Sequence, residues 1–314
     1  MSETRARFGG VYTALVTPFT GLGHLDEAAL RRTVRRQIEG GVAGLVPMGT
    51  TGEAVTVAPD EHRQVVEWVA EEARSVGRPV QVLAGCGSND TGKTVDTARL
   101  CRDAGADALL VVTPYYNKPP QRGLADHFRR VADEVDLPVV LYNVPGRTGS
   151  NLLPETVLEL AEDPRFAAVK EASGNLDQVS AILAGRPEGF AVLSGEDSLT
   201  LPIVALGGDG VIAVVSNEAP ALLVELVEKA LAGDRAGAAA LHARLLPLMR
   251  ANFVESNPIP VKWAMARLGL MEGYLRPPLS KLDAKFHATV EAALQAVGLL
   301  DEEGGERAAA GGAA

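Results

Sequence analysis

The sequence has 314 residues, enough for one large α/β barrel or two ordinary domains, and 46% of them are hydrophobic, so it can bury a sizeable core. Its formal net charge of −10 argues against nucleic-acid and anionic-membrane partners, because both are bound through basic patches. No apolar run is long enough to span a bilayer or to form a secretory signal, so we expect a cytoplasmic protein.

The cysteines and histidines do not predict a metal site. Cys86 and Cys101 are the only cysteines, and they form no CxxC pair. The five histidines are scattered, without the HExxH or HxxxH spacing of zinc sites. We therefore expect free thiols and no bound metal.

Eight short apolar runs alternate with stretches of helical spacing. The runs are rich in Val, Leu and Ile, as in parallel strands buried on both faces. In the first helical stretch Asp26 is placed to cap the helix and Gly40 to end it. The alternation predicts an α/β fold, a (β/α)8 TIM barrel, with a doubly wound open sheet as the alternative. The predicted strands are residues 11–16, 44–47, 80–83, 108–112, 139–142, 167–170, 191–193 and 211–215.

Beyond the predicted strands, the chain favours helices interrupted by prolines. We assign residues 1–219 to the barrel and residues 220–300 to a C-terminal helical extension that covers the barrel's flank or makes an oligomer contact. Residues 301–314 are rich in Gly, Ala and Glu and have little to bury, which predicts a disordered tail.

Lys170 ends a short apolar run and is followed by Ser173, Gly174 and Asn175, which can begin a helix. An amine at the carboxyl end of a buried strand is partly desolvated, which favours the neutral form that attacks carbonyls. The alternative is a structural lysine that extends to solvent or pairs with a carboxylate such as Glu171.

Three other loops after predicted strands carry polar residues suited to a small anionic substrate. The loop at 49–53, Gly-Thr-Thr-Gly-Glu, can hold a carboxylate through its hydroxyls and N–H groups, although a capping box of Thr50 and Glu53 is also consistent with it. Tyr142 ends the fifth strand and can act as a general acid or base, and Arg147 can fork a carboxylate. The loop at 113–120 contains two adjacent tyrosines.

One motif points to a different function. Residues 87–94 match the P-loop pattern GxxxxGK[ST] between a predicted strand and a helix, which is the context of a nucleotide-binding loop. Against it, no strand ends in the aspartate that would hold magnesium, and the element is one member of a regular series.

Seven segments occur in order along the chain: GTTGE at 49–53, VTPYYNKP at 112–119, YNVPGRTG at 142–149, VKEASGN at 169–175, SGED at 194–197, LGGDGVIAV at 206–214 and NPIPVKWA at 257–264. Together they resemble the dihydrodipicolinate synthase/N-acetylneuraminate lyase family, and its synthase members in particular, from about residue 8 to 297. The resemblance implies a class I aldolase-type barrel, a homotetramer built as a dimer of dimers, and no metal or organic cofactor. It implies condensation of pyruvate with L-aspartate 4-semialdehyde in lysine and diaminopimelate biosynthesis.

The same resemblance implies four catalytic roles. Lys170 would form an imine with pyruvate, and Tyr142 would shuttle protons. Thr50 and Tyr116 would complete the proton relay, with Tyr116 supplied by the neighbouring subunit.

Four further positions would bind substrate. Thr51 would hold the pyruvate carboxylate, the backbone of Ile212 would line the same pocket, and Gly195 would lie near the imine. Arg147 would receive the carboxylate of the semialdehyde. N-acetylneuraminate and 2-keto-3-deoxygluconate lyases are the alternatives within the family, but they generally lack this arginine, so Arg147 favours the synthase.

The sequence also departs from the lysine-inhibited members of the family. Those enzymes bind lysine in a cleft between subunits, where a glutamate, a histidine and a hydroxyl stand at the positions of Lys93, Pro59 and Ala54. A cation in place of the acid repels the effector. We therefore expect lysine not to inhibit this protein.

Overall fold

The computed structural model describes residues 6–301, so the predicted tail at 301–314 lies almost entirely outside the described residues. Eight parallel strands close into a barrel in the order in which they occur along the chain. This confirms the predicted (β/α)8 barrel and excludes the open sheet. The strands are β1 Gly10–Ala14, β2 Gly44–Val46, β3 Gln81–Gly85, β4 Ala108–Val112, β5 Val139–Asn143, β6 Phe166–Glu171, β7 Ala191–Ser194 and β8 Gly210–Ala213.

Helices follow the strands and surround the barrel. The ends of α1 lie where the sequence predicts them. The Asp26 carboxylate caps the first turn by accepting the Ala29 N–H, and Gly40 ends the helix. The helices are α1 Glu27–Glu39, α2 Pro59–Arg74, α3 Thr91–Asp103, α4 Gln121–Glu134, α5 Pro145–Thr148, α6 Pro154–Ala161, α7 Leu176–Gly185, α8 Thr200–Ala205, α9 Pro220–Leu231, α10 Arg235–Ala251, α11 Ile259–Arg267 and α12 His287–Ala296.

The strands are buried on both faces, as their Val- and Leu-rich sequences predict. Side chains on the inner faces, Tyr12, Leu110 and Leu193 among them, fill the barrel's interior. A larger cluster packs the outer faces against the helices. The interior is therefore closed by packing, and polar chemistry is confined to the barrel's ends.

Helices predominate in the described residues after 219, as predicted. The first of them, α9, packs against β1, α1 and α8, where the eighth helix of a barrel belongs. The following helices α10, α11 and α12 form the C-terminal helical part. The boundary at residue 220 stays a proposal.

No helix within residues 6–301 is long and apolar enough to cross a membrane. In the same residues, no three His, Cys, Asp or Glu side chains are placed to hold a metal ion.

Candidate active site

Lys170 and Tyr142 lie side by side at the carboxyl end of the barrel. They are paired in register between β6 and β5, and each is 6% exposed. The Lys170 Nζ lies 4.3 Å from the centroid of the Tyr142 ring. An amine and a phenol are thus held together in a nearly dry environment.

Lys170 does not form the alternative ion pair with Glu171. Adjacent residues of a strand point to opposite faces, and the Glu171 carboxylate accepts hydrogen bonds from Ser173 N at 2.6 Å and Gln178 Nε2 at 3.0 Å. Within residues 6–301, no carboxylate makes an ion pair with Lys170.

A cavity of about 360 Å³ opens above these two side chains. Its size suits two small substrates. Six of the eight residues predicted from the sequence line it: Thr50, Thr51, Tyr142, Arg147, Lys170 and Gly195.

Gly195 is required by the close approach of two neighbours. A Cβ built at this position would lie 2.7 Å from the Ala172 Cβ and 3.1 Å from the Lys170 Cγ. Any larger residue would press on the lysine's stem, so the glycine keeps Lys170 free to reach the cavity.

Asn257 is a site residue that the sequence reasoning missed. Its Nδ2 donates to the Thr51 Oγ1 at 2.9 Å, and its backbone carbonyl accepts from the Arg147 Nη2 at 3.4 Å. It thereby connects the two residues that are predicted to hold carboxylates. The signal was present, since Asn257 begins the NPIPVKWA segment.

Glu53 corrects one interpretation of the 49–53 loop. The capping-box hypothesis for Thr50 and Glu53 is wrong, because Glu53 adopts a left-handed backbone conformation (φ 55°) and its carboxylate is used elsewhere. Its Oε1 accepts from the Lys262 Nζ at 2.5 Å, with both side chains fully buried, and its Oε2 accepts from Arg276 N at 3.1 Å. Burial lowers the pKa of Lys262 to about 8. This ion pair fixes the loop against α11.

Asp197 has the corresponding role on the opposite side of the site, and its role was also missed. Its buried carboxylate accepts from Val214 N at 3.0 Å and Val215 N at 2.7 Å, and burial raises its pKa to about 6. It ties the loop after β7, which carries Gly195, to the end of β8.

Two predicted residues are not brought to the cavity by this chain. Tyr116 is 88% exposed. Its neighbour Tyr115 instead lines an adjoining cavity of about 240 Å³. Ile212 lies buried in β8 within the barrel's interior, and Val214 lines the cavity in its place.

The P-loop hypothesis is not supported by the structure of the 87–94 loop. The Asp90 carboxylate caps α3 by accepting the Lys93 N–H at 2.9 Å, in the position where a phosphate would bind. The Thr94 hydroxyl accepts from Ser88 N at 3.0 Å. The loop's own side chains therefore satisfy the groups that a nucleotide would need.

A buried lysine beside a tyrosine at the carboxyl end of a closed parallel barrel is the arrangement expected of an enzyme that forms an imine with a carbonyl substrate. A model of the dihydrodipicolinate synthetase family matches residues 7–297. The chain belongs to this family.

Similar proteins agree with this assignment. The 4-hydroxy-tetrahydrodipicolinate synthase of Salinibacter ruber is 50% identical over 88% of this chain and 91% of its own length. The crystal structure of dihydrodipicolinate synthase from Thermotoga maritima superposes with a TM-score of 0.91 at 42% identity, covering 94% of this chain and all of that one. A chloride-inhibited dihydrodipicolinate synthase from Acinetobacter baumannii, complexed with pyruvate, gives a TM-score of 0.90 at 38% identity over 93% and 99% of the two chains.

Proposed function

We propose that this enzyme condenses pyruvate with L-aspartate 4-semialdehyde to 4-hydroxy-tetrahydrodipicolinate. In this proposal Lys170 reacts with pyruvate and Arg147 binds the semialdehyde. The proposal rests on the position of both side chains in one cavity. The amine can react with a ketone there, and the guanidinium can bind a carboxylate. The reaction belongs to lysine and diaminopimelate biosynthesis.

Lys170 starts the chemistry. Its amine attacks the ketone carbon of pyruvate, water leaves, and the imine withdraws electrons from the methyl group. Loss of a methyl proton gives an enamine, whose carbon attacks the aldehyde of the second substrate. Tyr142, with its ring 4.3 Å from the lysine nitrogen, is placed to move these protons, with Thr50 on the same cavity wall.

The two substrate carboxylates have separate receptors. The Thr51 hydroxyl, oriented by Asn257 at 2.9 Å, holds the pyruvate carboxylate beside Gly195 and the end of β8, which includes Ile212. Arg147 holds the carboxylate of the semialdehyde. The lyases of the same family act on aldehydes without this carboxylate, and the similarity to named synthases favours the synthase reaction.

Tyr116 supports an oligomeric enzyme. It is almost fully exposed and adopts a positive φ of 77°, a conformation that a tyrosine keeps only when its surroundings require it. We assign its packing partner to a second subunit of a homotetramer. Tyr116 would complete the proton relay in the active site of that second subunit. Two buried, unpaired cysteines support a location in the cytoplasm.

A coupled assay tests the proposal. Pyruvate and aspartate semialdehyde are supplied together, and cleavage of N-acetylneuraminate and 2-keto-3-deoxygluconate is measured in parallel. We expect condensation alone to be fast. Faster cleavage of either sugar acid would assign the enzyme to the lyases.

A further inference from the structure

Glu196 presents an unpaired carboxylate to the active-site cavity. It follows Gly195 at the end of β7 and lines the same cavity as Lys170 and Arg147. Its Oε1 accepts one neutral hydrogen bond, from the Ser198 Oγ at 3.1 Å. Within residues 6–301, no lysine, arginine or histidine forms an ion pair with it. A half-buried carboxylate with so few partners is available to a cationic ligand.

The backbone on either side of Glu196 is held rigidly. Its carbonyl accepts from the Ser194 Oγ at 2.7 Å, and Gly195 N donates to the Glu171 carbonyl at 2.8 Å. The next residue, Asp197, is bonded to the backbone of β8's end. The side chain of Glu196 is therefore presented from a fixed position, as a binding group should be.

The charges of the substrates identify what this carboxylate would bind. Pyruvate is an anion, and the semialdehyde carries one carboxylate and one α-ammonium. The ammonium is the only cationic group among them. Arg147 accounts for the carboxylate, which leaves the ammonium without a receptor among the residues assigned so far. Opposite charges at two fixed points of one cavity would also orient the molecule between them.

We propose that Glu196 receives the α-ammonium of the semialdehyde and selects amino aldehydes over aldehydes that lack this group. The inference rests on the proposed function and adds to it the residue that binds the substrate's ammonium group. It also fits the product, a ring in which this nitrogen, after losing a proton, has displaced the Lys170 nitrogen from the former ketone carbon. Glu196 and Lys170 line the same cavity, so an ammonium held by Glu196 stays in the chamber where that bond forms.

Glu196→Gln tests the proposal with two aldehydes. With saturating pyruvate, kcat/KM for L-aspartate 4-semialdehyde should fall roughly 10- to 100-fold, the effect of a lost charge-assisted contact. Succinic semialdehyde lacks the amine, and its inhibition constant should stay the same or become tighter, because one negative charge leaves a cavity that must accept its carboxylate. Borohydride trapping of pyruvate should be unchanged, which also shows that the variant is folded.

Two further variants serve as controls. Glu196→Asp keeps the charge on a shorter side chain and should recover part of the loss. Glu155→Gln removes an exposed glutamate at the beginning of α6 and should leave both aldehydes unaffected.

The opposite outcomes are distinct. Equal weakening of both aldehydes, or loss of the pyruvate adduct, would overturn the assignment of Glu196, because the carboxylate would then act on Lys170 or on the loop. A wild-type enzyme that does not consume aspartate semialdehyde would overturn the proposed function, and this inference with it.

Discussion

Arg147 is exposed at the cavity's edge, and within residues 6–301 its guanidinium makes one hydrogen bond, to the Asn257 carbonyl, which is long at 3.4 Å. Within residues 6–301 no carboxylate pairs with it, so its guanidinium is available for the semialdehyde. Arg147→Ala should lower kcat/KM for the semialdehyde roughly 10- to 100-fold, since a charge-assisted contact of about 1.5–3 kcal/mol is lost.

Pyruvate should still form its adduct in this variant, because Arg147 does not contact the lysine. Arg147→Lys keeps the charge but cannot make the bidentate contact of a guanidinium, so its kcat/KM for the semialdehyde should lie between those of the wild type and Arg147→Ala. Equal loss of adduct formation and condensation would show that Arg147 is structural.

Single residues could be predicted where the chemistry lies within one segment. Lys170 and Tyr142 each end an apolar run, so their place at the barrel's end follows from the strand pattern. Glu53 and Lys262 are 209 positions apart, and no local pattern indicates that they form a buried ion pair. The same limit applies to Asn257, because its partners Thr51 and Arg147 come from distant loops.

Apolar runs located the strands, but they did not always predict where a strand ends. β4 has the predicted bounds, Ala108–Val112. β8 ends at Ala213, two residues earlier than predicted, because the chain turns into a 3-10 helix at Val215–Asn217 and Asp197 accepts the N–H groups of Val214 and Val215. Apolar composition cannot distinguish a strand from such a buried turn.

The helix α4 carries a histidine that should make the fold sensitive to acid. His127 is 3% exposed, its Nδ1 lies 3.0 Å from the Thr91 hydroxyl, and burial lowers its pKa from 6.5 to about 4. The folded state disfavours the charged ring, so the stability present above pH 6.5 is lost as the pH falls towards 4.

This loss can be measured by urea unfolding at pH 7 and pH 4.5. The free energy of unfolding should decrease by about 2–3 kcal/mol on account of His127. His127→Gln should remove this part of the decrease while keeping a hydrogen-bonding group near Thr91. The same decrease in wild type and variant would mean that other groups govern the acid response.

On the scale of the whole molecule, Tyr116 predicts cooperation between subunits. Tyr116→Phe and Lys170→Ala enzymes should each be weak, and mixing their subunits should restore activity, because some sites then combine a wild-type lysine with a wild-type tyrosine. Activity is measured after subunit exchange, with each variant exchanged against itself as the control. No recovery would place Tyr116 outside the partner's site.

A second prediction concerns regulation by lysine. Lys93 lines a cavity of about 210 Å³ together with Ala54, Pro59, His62 and Tyr115. Its ammonium would repel a lysine side chain, and a millimolar effector has only about 4 kcal/mol of binding free energy to lose.

We therefore expect about 1 mM lysine, an effector at that affinity, to leave the wild-type rate unchanged. Lys93→Glu should regain weak binding at most, since Pro59 and Ala54 still lack the side-chain hydrogen bonds that the inhibited enzymes have. Clear inhibition of the wild-type enzyme would contradict this interpretation of the cavity.

Borohydride trapping of pyruvate tests whether Lys170 forms the imine. Reduction converts the imine into a stable secondary amine, so the labelled peptide can be identified by mass spectrometry. We predict one three-carbon adduct for each active site, located on Lys170 and absent from Lys170→Ala. An adduct on another lysine, Lys262 included, or condensation activity retained by Lys170→Ala, would contradict the mechanism.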